Sequence, residues 1–211
     1  MKINKKIPVF ILKNAISILF NVHFDVFDYS KYHQDLPVAL KELYEIDAHF
    51  SKDCSYETIH FFCNLDRFVK PDLLELEKKS FVFVHENQHN WACEAQLNSE
   101  KVYFNDKVEP EKSRFLDTDI DSFLTTFALQ EIGFNLKYYF GFEYENISAI
   151  EAHFKKTEHI WTDKNYIYTE PLSYYLVDDD CLVMWAGMNI FATNNQEKYE
   201  YYKGILKHYE F

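Results

Sequence analysis

Apolar residues recur along this chain in two rhythms, and each predicts its own kind of element. Residues 7–24 are dense in apolar side chains and predict a helix with Ile11, Ala15, Ile18 and Leu19 on one face. Leu36, Leu40, Leu43 and Tyr44 then recur at helical spacing around Pro37, a residue favoured in a first helical turn, so a helix is predicted over 37–47. Residues 58–63 (TIHFFC) read as a strand, and Lys70-Pro71-Asp72 opens a short helical turn. Runs rich in aromatic and β-branched residues follow at 81–86, 91–97 and 101–105. Their short separations predict an antiparallel meander.

The clearest helix is predicted over 119–132. Thr118-x-x-Asp121 matches a capping box, which satisfies backbone N–H groups at a helix start. Ile120, Phe123, Leu124, Phe127 and Ala128 form its buried stripe, and Gly133 suits its end. A helix over 147–156 turns Ile147, Ile150 and Phe154 inward. Strands are predicted at 166–169, 174–177, 181–186 and 189–192, with Asp178-Asp179-Asp180 as a hairpin turn. A last helix, capped by Asn194 or Asn195, buries Tyr202, Ile205 and Leu206. The sum is an α+β chain in a single domain spanning 1–211: a mostly antiparallel sheet with helices packed on one side and at the ends.

Composition supports a substantial core, with 47% hydrophobic and 18% aromatic residues, and no repeat or linker divides it. Cys54, Cys63, Cys93 and Cys181 form no C-x-x-C pair, which suits reduced, buried thiols in a cytosolic protein. Lys2, Lys5 and Lys6 precede an apolar run, but Lys13 and Asn14 interrupt it, so neither a signal peptide nor a membrane span is expected. The expected location is the cytoplasm. A formal charge of −12 argues against nucleic acid as a direct ligand and fits a cationic partner.

His85, Glu86 and His89 spell H-E-x-x-H, the zinc-peptidase signature, with Glu109 placed as a third ligand. That chemistry needs a helix. Phe81-Val82-Phe83-Val84 before it predicts a strand, on which residues four apart lie ~13 Å apart, at ~3.3 Å per residue. Glu109 precedes Pro110 in the charged segment KVEPEK, where a loop is expected. The expectation is no metal and no cofactor. No G-x-S-x-G elbow, Walker loop or dinucleotide glycine fingerprint occurs, so no catalytic residue and no enzyme activity are expected.

Read as a strand, the stretch fits a different pattern. Leu36-Pro37 and Leu40 start a helix; a strand ends in F-x-x-E-N-Q (Phe83, Glu86, Asn87, Gln88) with Trp91 close behind. Val102-Tyr103 marks a further strand, and Ser122-Phe123-Leu124 lies in an acidic-capped helix. Over roughly residues 35–135 this order resembles the SUKH superfamily, which includes many bacterial immunity proteins of polymorphic and contact-dependent toxin systems. The glycine-containing turn common there after the first helix is replaced by Ala48-His49-Phe50. The resemblance implies a protein that binds a toxin domain, such as a nuclease, and occludes its active site. A regulatory interaction module without a toxin is the alternative within the same fold. The candidate contact residues are the acids Glu86, Asp117, Asp119, Asp121, Asp178, Asp179 and Asp180, together with Trp91. Caps and turns for the acids, and packing for Trp91, are the competing structural roles.

Overall fold

Among the described residues eleven strands form two antiparallel sheets, and the helix predicted most clearly by sequence lies between them. The computed structural model describes residues 8–51, 61–62, 66–143, 152–167, 171–185 and 189–209. The first sheet contains β1 (Asp66–Phe68), β2 (Phe81–Glu86), β3 (Trp91–Ala95), β4 (Lys101–Asp106) and β5 (Arg114–Asp119), paired in chain order, with β2 to β4 as the expected meander and β1 and β5 added at its edges. The second runs β11-β6-β10-β9-β8-β7. Its strands are β6 (Tyr138–Phe142), β7 (Thr157–Asp163), β8 (Leu172–Val177), β9 (Cys181–Trp185), β10 (Asn189–Thr193) and β11 (His208–Tyr209).

Four helices are described: α1 (Pro8–Phe20), α2 (Val38–Ser51), α3 (Ile120–Asn135) and α4 (Gln196–Ile205). Helix α3 touches strands of both sheets as well as α1 and α2. It is therefore buried on every side, including Thr125, Thr126, Leu129 and Glu131 beyond the predicted stripe. Asp119, and not Thr118, caps it: the Asp119 carboxylate accepts the Ser122 N–H over 2.7 Å. Gly133 does not end it: its φ is not positive, and the helix runs on to Asn135.

Helix α1 ends on Asn21 (φ 51°), with the Val22 N–H donating to the Ser17 carbonyl over 3.2 Å, a left-handed stop. It buries Leu12, Ala15, Ile16 and Leu19, while Ile18 stays 47% exposed. Helix α4 is capped by Asn195 and buries Tyr202 and, just past its end, Leu206; Ile205 remains exposed. Both faces of the second sheet are covered. Tyr174, Leu182, Met184 and Ile190 join the core around α3, whereas Phe140, Val183 and Phe191 join a smaller core under α4.

Some expectations fall elsewhere. The predicted strand at 58–63 lies outside the described residues except Phe61 and Phe62, which form a turn. The predicted helix at 147–156 is described only from residue 152, in turns and extended chain. Tyr166 and Ile167 form a bend, and the rest of the predicted 166–169 strand lies outside the described residues. Strands β1, β5, β6 and β7 carry weak local patterns and gain their order by pairing with stronger neighbours.

Candidate functional site

Strand β2 ends at Glu86, residues 87–90 form a turn, and β3 begins at Trp91. His85 sits in the sheet opposite Arg67 on one side and Ala92 on the other. His89 takes a left-handed backbone (φ 64°) and folds back, so the His85 and His89 rings stack with centroids 4.3 Å apart and planes 22° apart. The expected wide separation of the two rings is therefore wrong: it assumed extended chain through residue 89, and the turn reverses it. The zinc-peptidase geometry still does not form. The segment is not helical, and a ring nitrogen's lone pair lies in its ring plane, so near-parallel facing planes do not converge on one ion. Glu109 lies in a loop and pairs with Lys112 over 2.6 Å. Among the described residues no group of three or more His, Cys, Asp and Glu is arranged to hold a metal.

Carboxylates organise this turn. Glu86 accepts the Gln88 and Asn90 amides, each over 3.0 Å, and its carbonyl accepts the His89 amide over 2.9 Å. Asp66, opposite Glu86 on β1, accepts the Asn87 amide, while its own amide donates to Glu131 over 3.0 Å. Burial first, then the Glu86 charge, pushes the Asp66 carboxyl up to about 6. Burial also holds His85 below the ordinary imidazole range, with His89, Arg67 and Lys107 adding to the effect. Trp91 is half-buried and packs against the core, its ring 5.8 Å from the Phe104 ring.

The acids at the start of α3 form a second constellation. Asp117 is exposed on β5, Asp119 is the cap, and Asp121 lies half-buried in the first helical turn. Burial pushes the Asp121 carboxyl up to about 6, and the nearby carboxylates of Asp119, Glu100 and Glu42 push the same way. Glu42 accepts the Tyr29 hydroxyl over 2.8 Å, and Glu45, one turn on, accepts that of Tyr32 over 2.7 Å. Sequence reading missed Glu42, Glu45 and Glu100; the one local signal was the spacing of Glu42 and Glu45 on one side of α2. Next to Glu100, the outer face of the first sheet holds an open groove of about 450 Å³ lined by Lys101, Tyr103 and Phe115 among others.

Asp178, Asp179 and Asp180 form the predicted turn between β8 and β9, with Asp178 and Asp179 at positive φ (46° and 71°). All three carboxylates are engaged. Asp178 accepts the Lys156 amide over 3.0 Å and the Tyr202 hydroxyl. Asp179 pairs with Lys156 over 2.5 Å, and Asp180 pairs with Lys198. This group lies beyond Leu182, which packs at Gly133 near the end of α3, whereas Asp119 and Asp121 stand at its start. At ~1.5 Å per residue the helix keeps the two groups well apart.

No helix among the described residues is long and apolar enough to cross a membrane. Comparison with protein-family models, with curated proteins and with solved structures gives no match to this chain.

Proposed function

We propose that this chain is a cytoplasmic immunity protein that neutralises a cationic toxin domain by binding it and covering its active site. The feature that carries this reading is the acidic start of α3, with Asp117 exposed on β5, Asp119 as the cap and Asp121 half-buried in the first turn; burial and the charges of Asp119, Glu100 and Glu42 hold the Asp121 carboxyl up. Like charges crowded in this way cost stability at neutral pH, and a cationic partner relieves that cost. A toxin acting on nucleic acid needs such a cationic surface. The net charge of −12 speeds encounter with it in a salt-sensitive way.

Two features support the reading. Helix α2, strands β2 to β4 and helix α3 follow one another in the order that the resemblance over residues 35–135 implies. The groove beside Glu100, with Tyr103 and the exposed Phe115, offers a pocket for an apolar anchor next to the charged surface. Binding, and not catalysis, is the activity proposed; Asp178 and Asp180 are assigned to holding α4, and Asp179 to its pair with Lys156.

Co-expression with the toxin encoded beside it tests the proposal. Growth should be rescued by the parent chain and lost when Glu100, Asp119 and Asp121 are neutralised together in a chain that still folds. Growth arrest by a confirmed active toxin despite the parent chain would overturn it.

A further inference from the structure

We propose that the β2–β3 turn is a proton-responsive element, closed at neutral pH by the facing His85 and His89 rings and loosened when both rings carry charge. Apart from the His89 amide, held by the Glu86 carbonyl, the turn's bonded amides rest on two side chains: Asn87 on Asp66, Gln88 and Asn90 on Glu86. The rings supply the remaining closure. His85 Nδ1 lies 3.2 Å from the Glu86 carbonyl, and a proton on Nδ1 makes it a donor that fixes the ring against the turn.

Neutral rings stack at 4.3 Å without penalty, and one charge is tolerated, but two like charges at that distance repel. The charges facing the stack sharpen this. Arg67 on β1 and Lys107 after β4 are both positive and oppose a second proton. Glu86 spends its carboxylate on the turn amides, and Asp66 stands behind it. Opening also releases the left-handed backbone of His89. Val84, Ala92 and Cys93 are fully buried just behind the turn, so the loosening stops at the strand ends.

Asp66 works in the opposite sense. Its carboxyl binds a proton more tightly in the closed form than in water, so falling pH favours closure through Asp66 while it favours opening through the histidines. The element lies by the β2–β3 turn, away from the acids at the start of α3. It stands or falls independently of toxin binding.

Ring-proton NMR of the histidines and amide exchange at Gln88, His89 and Asn90 test it between about pH 7 and about pH 5. The His85 ring should titrate below an ordinary imidazole, and its midpoint should rise in His89→Asn, which removes the facing ring. Protection of the three amides, corrected for intrinsic exchange, should fall up to about tenfold over that range, the limit set by one pKa unit. His85→Phe, which keeps a ring on the strand but carries neither the charge nor the Nδ1 donor, should lose the fall in protection at low pH and keep only the opposite response through Asp66. His89→Asn, whose side chain tolerates the left-handed backbone, should also lose the fall. Asp66→Asn should keep or enlarge it. Independent titration of the two rings with unchanged amide protection would overturn the proposal. So would a fall in protection at low pH that survives in His85→Phe, or one that disappears in Asp66→Asn.

Discussion

The Thr126 hydroxyl, in the middle of α3, donates to the Asp163 carboxylate at the end of β7 over 2.7 Å. The same hydroxyl oxygen accepts the Trp161 indole N–H over 2.9 Å, and Asp163 accepts the Asn165 amide over 2.8 Å. This buried network ties the central helix to the edge of the six-stranded sheet, where apolar packing alone leaves the register of helix and sheet free to slide.

Asp163→Ala removes the carboxylate that accepts the Thr126 hydroxyl and the Asn165 amide and leaves the hydroxyl only the Ser122 carbonyl, 3.1 Å away, and should cost about 1–3 kcal/mol. Asp163→Asn keeps an acceptor and should cost less. Urea denaturation followed by far-UV circular dichroism gives both values, and equal losses in the two variants would contradict the hydrogen-bonding account.

The cap of α3 makes a prediction that separates two neighbouring residues. Asp119→Ala removes the bond to the Ser122 amide and should cost about 1 kcal/mol. Thr118→Ala should be nearly neutral, because the Thr118 side chain makes no bond to an α3 amide among the described residues. Thermal unfolding of the two variants decides which residue caps.

Asp66 and Asp121 set part of the pH dependence of stability. Both carboxyls are pushed up to about 6 in the folded chain from an ordinary value of 3.8. A raised folded pKa means stability that is fully present below the unfolded value and is lost as pH rises through about 6. Asp121→Asn should therefore be more stable than the parent at about pH 7, by up to about 1 kcal/mol after solvent screening. The gain should vanish near about pH 4, where the parent carboxyl is protonated. A constant difference across that range, in urea midpoints at both ends, would argue against the charge crowding. If the proposed toxin contact is right, the same substitution should weaken binding while it stabilises the free chain.

The β8–β9 turn should respond to shape more than to charge. Asp179 sits at φ 71°, so Asp179→Gly should be near neutral and Asp179→Val should cost about 1–2 kcal/mol. Its exposed ion pair with Lys156 contributes little, so Lys156→Gln should leave the thermal midpoint essentially unchanged. Thermal unfolding measures all three.

Local sequence determined a good part of this fold. The aromatic and β-branched runs at Phe81–Glu86 and Trp91–Ala95, with short gaps around them, were enough for the meander, because pleated pairing rewards those side chains wherever they fall. The stripe of Ile120, Phe123, Leu124 and Phe127 was enough for α3, and three consecutive aspartates were enough for the β8–β9 turn. Tertiary structure decided the rest. Strands of both sheets pack on α3, which buries Thr125, Thr126 and Glu131 beside its apolar stripe, and the partners of Thr126 and Glu131 come from distant strands and meet them only once the chain is assembled. Asp121 meets Glu42 and Glu100 through contacts between distant segments, and no spacing along the chain encodes such a meeting. The H-E-x-x-H stretch shows the boundary most sharply. Its residues specified a strand and a turn in place of a zinc-binding helix. The sense of the turn, set by the left-handed backbone at His89 and the register of β2 against β3, brought the two rings face to face.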